Sequence, residues 1–192
     1  GLNEQQEMMR TMARDFLTEE YPEKVLRRVA AGDREISQEL WEKMAGINLM
    51  GLSIPEEYDG IGDFTDLTVV LEEMGRACFM GPFFSTVILG ASTIMLAGND
   101  KQKQEYLPAV ARGEKKITLA IAEKKANYLP DDINLTAEKS GDAFILNGNK
   151  FFVPYMEDAD AVICAARTSK SKNPGDGISL FLVPASLPGI TV

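Results

Sequence analysis

The sequence predicts an α+β chain: an all-helical N-terminal domain over residues 1–116, then a small, incomplete antiparallel β domain over residues 117–192. Three observations predict it. Up to Lys116, apolar residues recur every three or four positions, the period of a helix buried on one face. From Ile117 onward, short apolar runs alternate with turn residues, as strands do. The punctuation agrees, with N-capping side chains and stop glycines up to Gly113 and a Ser140–Gly141 turn between two later apolar runs.

The first helix follows Asn3, an N-cap, with Gln6 completing a capping box. Met8, Met9, Met12, Ala13, Phe16 and Leu17 share one face, which reads as core. A second helix starts near Pro22, where a missing N–H costs nothing, turns Val25, Leu26 and Val29 inward and stops at Gly32. The third is capped by Ser37 and buries Leu40, Trp41, Met44 and Ala45. Gly51–Gly62 is a turn-rich loop. Its acids, with Asp63 beyond them, lack EF-hand spacing and read as solvated charges.

A helix over Thr65–Ala77 comes next. Pro82 then opens a long helix, apolar on more than one face and therefore central, which Gly98 ends. Asp100 caps the sixth helix, which ends at Gly113. In the β region, Ile133–Lys139 and Ala143–Asn147 read as a hairpin, with further strands at Lys150–Val153, Ala161–Ala166 and Ile178–Val183. The chain stops at Gly189-Ile190-Thr191-Val192, inside the β region, which reads as a truncation.

Composition narrows the function classes. The 192 residues suffice for a buried core. With 29 acidic against 20 basic residues, the net charge of −9 repels phosphate backbones, so nucleic acid is not an expected partner. Pro82–Leu96, the longest strongly apolar stretch, is shorter than the ~20 residues of a membrane span. The acidic N-terminus lacks the basic start and apolar core of a secretion signal. Cys78 and Cys164 form no CxxC pair and read as small buried apolar residues, which fits a reducing compartment.

The sequence contains no histidine, which excludes a Ser-His-Asp triad, a Cys-His pair and a His-ligated zinc. P-loop, GxGxxG and GxSxG motifs are absent too. Enzymatic chemistry therefore needs a cofactor or another part of the molecule.

Several longer words are more specific. IPEEYDGIG, LEEMGRA, NDKQKQEYLPAVARGEKKITLAIAE, GDAFILNGNKFFV and ADAVICAART, in this order and spacing, resemble the acyl-CoA dehydrogenase family across Leu2–Val192. The resemblance implies an N-terminal helical domain, a middle β domain and a C-terminal four-helix domain before which this sequence stops. It also implies FAD, an acyl-CoA substrate, an electron-transfer protein as acceptor, and assembly into homo- or hetero-oligomers of such subunits. The implied location is a bacterial cytoplasm or a mitochondrial matrix. In the implied reaction a base removes the α-proton of the thioester while the β-hydrogen passes to the flavin as hydride. The family's base is a glutamate of the C-terminal domain, so no catalytic residue is assigned in this chain, and no metal site is expected.

The same resemblance places a flavin platform on two words. Where the family has Thr-Glu-Pro and then Gly-Ser-Asp, this chain has Ala122, Glu123, Lys124 and then Asn127, Tyr128, Leu129. Where the family has Trp-Ile-Thr, it has Phe152, Val153, Pro154. The implied cofactor-binding residues are Ile121, Ala122, Tyr128, Phe152 and Pro154. Ala122 lacks the hydroxyl, and Tyr128 is too large for the same phosphate contact. Pro154 has neither a hydroxyl nor an N–H, whereas Phe152 keeps an aromatic face. Lys124 and Lys125 read as surface charges, with a phosphate contact as the alternative. Two functions stay open, an FAD-dependent dehydrogenase and a flavin-free partner subunit of a heteromeric one, beside a ligand-free interaction module built on the same fold.

Overall fold

The computed structural model describes residues 1–192 apart from Asp63 and Asn127, so the loop acid Asp63 and the platform residue Asn127 lie outside the described residues. The chain divides into two compact units, Gly1–Lys115 and Lys116–Val192.

The first unit is helical: α1 (Glu4–Glu20), α2 (Glu23–Ala30), α3 (Arg34–Gly46), α4 (Phe64–Arg76), α5 (Ser92–Ala97) and α6 (Asp100–Ala111). Its core gathers Leu17, Leu40, Trp41, Leu67, Phe83 and Val87, all nearly inaccessible to solvent. Burial of each such side chain is worth about 1.5–3 kcal/mol. The indole N–H of Trp41 donates to the Gly113 carbonyl at 2.7 Å, so the largest core side chain leaves no orphaned donor. Among the described residues no helix is long and apolar enough to cross a membrane.

The Asn3–Gln6 capping box forms as the sequence predicts. The Met stripe is only partly core: Ala13 and Leu17 are buried, while Met8 and Met12 are exposed. These two instead line a shallow groove with Leu49, Leu52 and Ile61. Cys78 is likewise exposed, at a left-handed φ of 51°, and only Cys164 has the buried environment expected of both.

Two helix caps are shifted from their predicted positions. Asp33, not Ser37, caps α3: its Oδ1 accepts from the Ile36 amide at 3.2 Å and its Oδ2 from Arg28 Nε at 2.8 Å. The Ile36 amide, followed by Arg28, holds this carboxyl below its ordinary range. Ser37 lies in the first turn and donates to the Asp33 carbonyl instead. Asp33→Ala is therefore expected to lower stability by about 1 kcal/mol, and Ser37→Ala by less than about 0.5 kcal/mol, in urea unfolding. Likewise Asn99, not Asp100, caps α6, in a second capping box with Gln102.

The helix predicted from Pro82 is not uniform. Phe84–Ala91 is π-helical and only Ser92–Ala97 is α-helical. Hydroxyls compete with the regular ladder here, Ser85 Oγ donating to the Pro82 carbonyl and Thr93 Oγ1 to that of Leu89.

The second unit is one five-stranded sheet of β1 (Ile117–Ala120), β2 (Thr136–Ser140), β3 (Ala143–Asn147), β4 (Ala161–Arg167) and β5 (Ile178–Pro184). It is mixed, not purely antiparallel. β2–β3 and β4–β5 pair antiparallel, but β1 runs parallel to β4 from Ile117↔Ala161 to Ala120↔Cys164, and β2 meets β4 parallel at Thr136↔Arg167. β4 is central, which explains its unbroken apolar run: Ala161–Ala166 is buried on both faces.

The strand predicted at Lys150–Val153 does not form. Phe152 takes a φ of 53°, outside the β region, and the following Pro154 has no N–H for a ladder. The hairpin's first strand is also shorter than predicted, starting at Thr136.

Candidate flavin platform

β1 ends at Ala120, and the chain leaves the sheet through Ile121 and the buried Ala122 into Glu123. The Glu123 carboxylate turns inward and accepts from the Asn134 amide at 2.9 Å, from the Leu135 amide at 2.9 Å and from Lys150 Nζ at 2.8 Å. Lys150 Nζ also donates to the Ile121 carbonyl at 3.1 Å, and the Phe151 amide donates to the Ala122 carbonyl at 2.9 Å. The side chains of Lys150 and Glu123 are only 6% and 11% exposed. Burial, the largest influence, pushes the Glu123 carboxyl up, but the Leu135 amide, Lys150 and the Asn134 amide together hold it below its ordinary value. It is an anion near neutral pH.

The remaining candidates are arranged around this pair. Pro154 is half-buried and its carbonyl accepts from Thr118 Oγ1 at 2.6 Å. Tyr128 and Phe152 are 62% and 76% exposed, at φ 54° and 53°. Ala126 and Tyr155 are also left-handed, so both words carry backbone that non-glycine residues adopt only when the surroundings enforce it. Lys125 pairs with Asp132 at 2.7 Å, while Lys124 is exposed, as a surface charge should be.

Phe152 and Lys150 also line a cavity of about 430 Å³ with Ala120, Leu146, Val162 and Cys164. Burial raises the Cys164 thiol above its ordinary value, so it is a protonated wall rather than a nucleophile. Among the described residues no cluster of carboxylates and thiols could hold a metal ion.

The structure thus brings Ile121, Ala122, Glu123, Lys150 and Phe151 together through hydrogen bonds. Glu123 and Lys150 were not among the predicted site residues. In the sequence each has one apolar and one polar neighbour, Ala122 and Lys124 for Glu123 and Phe151 and Asn149 for Lys150, which does not tell a buried charge from a solvated one.

A flavin has two flat apolar faces and a polar edge. The carbonyls of Ile121, Ala122 and Pro154 are already engaged, and neither Ala122 nor Pro154 brings a side-chain donor. Phe152 presents its ring to solvent. Of the candidate residues, Phe152 has the chemistry to meet a flat ring face, whereas Ala122 and Pro154 offer a polar edge no side-chain hydroxyl.

Among the described residues, a unit of six α-helices followed by a mixed five-stranded sheet, with two stitched loops beyond the end of β1, defines a two-domain α+β scaffold. The family models for the acyl-CoA dehydrogenase N-terminal domain and middle domain match residues 3–114 and 118–192, and the chain belongs to the acyl-CoA dehydrogenase family. It is 31% identical to mitochondrial isovaleryl-CoA dehydrogenase of Pongo abelii, over 100% of this chain and 46% of that protein. Among solved structures it resembles the ChsE4-ChsE5 complex from Mycobacterium tuberculosis, with a TM-score of 0.81 and 27% identity over 97% of this chain and 48% of that one. It also resembles an acyl-CoA dehydrogenase complexed with FAD from Bacillus anthracis, with a TM-score of 0.83 and 26% identity over 99% of this chain and 33% of that one. The chain spans about half the length of the curated relatives it matches.

Proposed function

We propose that this chain is the helical and platform portion of an FAD-dependent acyl-CoA dehydrogenase, an oxidoreductase acting on the α,β CH–CH bond of an acyl-CoA thioester. The observation that carries the reading is the stitching of the two platform words: Lys150 and Phe151 are tied to Ile121, Ala122 and Glu123. When bound, FAD would supply hydride-accepting chemistry. Phe152 would offer it an aromatic face, and the backbone at Ile121–Ala122 would border it. Glu123 and Lys150 keep their charges on each other. No side chain within residues 1–192 is assigned as the base. An electron-transfer protein as acceptor and assembly with like subunits belong to the same proposal.

A second reading, the flavin-free partner subunit, is favoured by one observation: Ala122, Tyr128 and Pro154 supply none of the small hydroxyls implied for a polar grip on the flavin. The test is the visible absorption spectrum of the purified protein after incubation with excess FAD and desalting. A retained flavin band is expected under the first reading. A colourless protein that co-purifies with a flavin-bearing homologue would establish the second. Ala122→Thr combined with Pro154→Thr restores two hydroxyls, each worth about 0.5–1.5 kcal/mol when bonded. Retention of FAD should tighten about tenfold in a desalting series, and unchanged affinity would show that the hydroxyls are not what the platform lacks.

A further inference from the structure

We infer that Glu123 and Lys150 are positioning residues, a buried ion pair that fixes the relative placement of the two platform words. The bonds reach where the sheet does not. Ile121–Glu123 lies beyond the end of β1, Asn134–Leu135 precedes β2, and Lys150–Phe151 follows β3. Among the described residues no strand ladder joins these three segments, and apart from the Phe151 amide bond to the Ala122 carbonyl the hydrogen bonds linking them converge on one carboxylate and one ammonium.

Burying both charges is costly unless each is well paired, and an apolar pair of equal volume would serve cohesion as well or better. What directional bonds add is register. Lys150 Nζ bridges Glu123 and the Ile121 carbonyl, so moving the second word along the first breaks two bonds at once. Phe151, the next residue, donates to Ala122, and Phe152 follows with its left-handed backbone and exposed ring. Because Ala122 and Pro154 bring no hydroxyl, the pair carries the alignment such contacts would otherwise share. Its functional consequence rests on the flavin-platform reading; its geometric role does not.

Native-state hydrogen exchange on the complete protein separates the two. Lys150→Met, Lys150→Arg and Glu123→Gln would be compared with the unaltered protein at the Phe151 and Leu135 amides and, as reference, at β4 amides such as Ile163. In Lys150→Met the Phe151 amide should exchange about tenfold faster while β4 amides keep their protection, because the opening is local. Lys150→Arg, which can still bridge, should restore most of that protection. Glu123→Gln keeps the side chain's shape and should release the Phe151 and Leu135 amides even if Lys150→Met fails to fold.

Equal acceleration at Phe151 and in β4 would show a merely stabilising pair and overturn the inference, as would unchanged exchange at Phe151. FAD titration of the same proteins is the second readout, with about tenfold weaker binding expected in Lys150→Met and recovery in Lys150→Arg. Equal FAD affinity in all of them would overturn the pair's functional consequence, the placing of the flavin platform. An unaltered protein that takes up no FAD defeats the flavin reading alone and leaves the exchange comparison to decide the pair.

Discussion

Gly60→Ala is expected to destabilise the helical unit by about 3–5 kcal/mol, among the largest single-residue losses. A Cβ built on Gly60 would lie 1.6 Å from the Ile54 carbonyl oxygen and 2.2 Å from its carbon. Both atoms are backbone, so no side-chain rotation relieves the overlap. The loop has little room to move: the Gly60 amide donates to Pro55 O and the Ile61 amide to Gly51 O, each at 3.1 Å. The preceding Asp59 is already left-handed at φ 64° and its carboxylate is held by Arg112. Separating the clashing atoms would break these contacts and lift the loop off α6. Gly46→Ala is the control, because nothing lies within 4 Å of its Cβ and it closes α3. That change should be neutral or stabilise by up to about 1 kcal/mol. Urea unfolding of both variants checks the pair, and a Gly60→Ala loss below about 1 kcal/mol would mean the loop relaxes freely.

Local chemistry was legible in the sequence where one residue decides the outcome. Asn3 with Gln6 announces the first cap, and the period change at Ile117 coincides with the start of β1. Where two nearby residues can do the same job, long-range partners decide. Asp33 and Ser37 are both good caps, but only Asp33 also reaches Arg28. Strand direction is of the same kind: β1 and β2 run parallel to β4 because of pairings more than thirty residues apart, which alternation in one strand does not encode. Lys150–Val153 has strand-forming aromatics, yet a tertiary ion pair and a left-handed Phe152 override that propensity.

The site divides along the same line. The losses at Ala122 and Pro154 are properties of the residues themselves and could be read directly. The Glu123–Lys150 pair could not, since each charge alone looks like a solvated surface group until the fold buries them together.

Glu73→Gln should lower stability by about 2–4 kcal/mol near pH 7, somewhat less than a fully buried pair would lose because half-exposed arginines are screened by solvent. Glu73 is 2% exposed on α4, and Arg14 of α1 grips it with Nε at 3.0 Å and Nη2 at 2.6 Å. Arg76 Nε adds a third bond at 2.6 Å. Arg14 is the main cause that holds this carboxyl at about 2, with burial opposing and Arg76 assisting.

The sign of the pH effect follows. The folded value is depressed below the unfolded one of roughly 4.3, so the unfolded chain binds the proton more readily. The contribution is complete above the unfolded value and fades as pH falls through the window down to about 2. The difference between the unaltered protein and Glu73→Gln should therefore shrink steadily across that window in urea unfolding. Were the difference the same at both ends, the carboxylate's charge would not be what joins α1 to α4. The loss would then belong to the shape of the contact, and glutamine's own failure to receive two guanidinium forks would have to explain it.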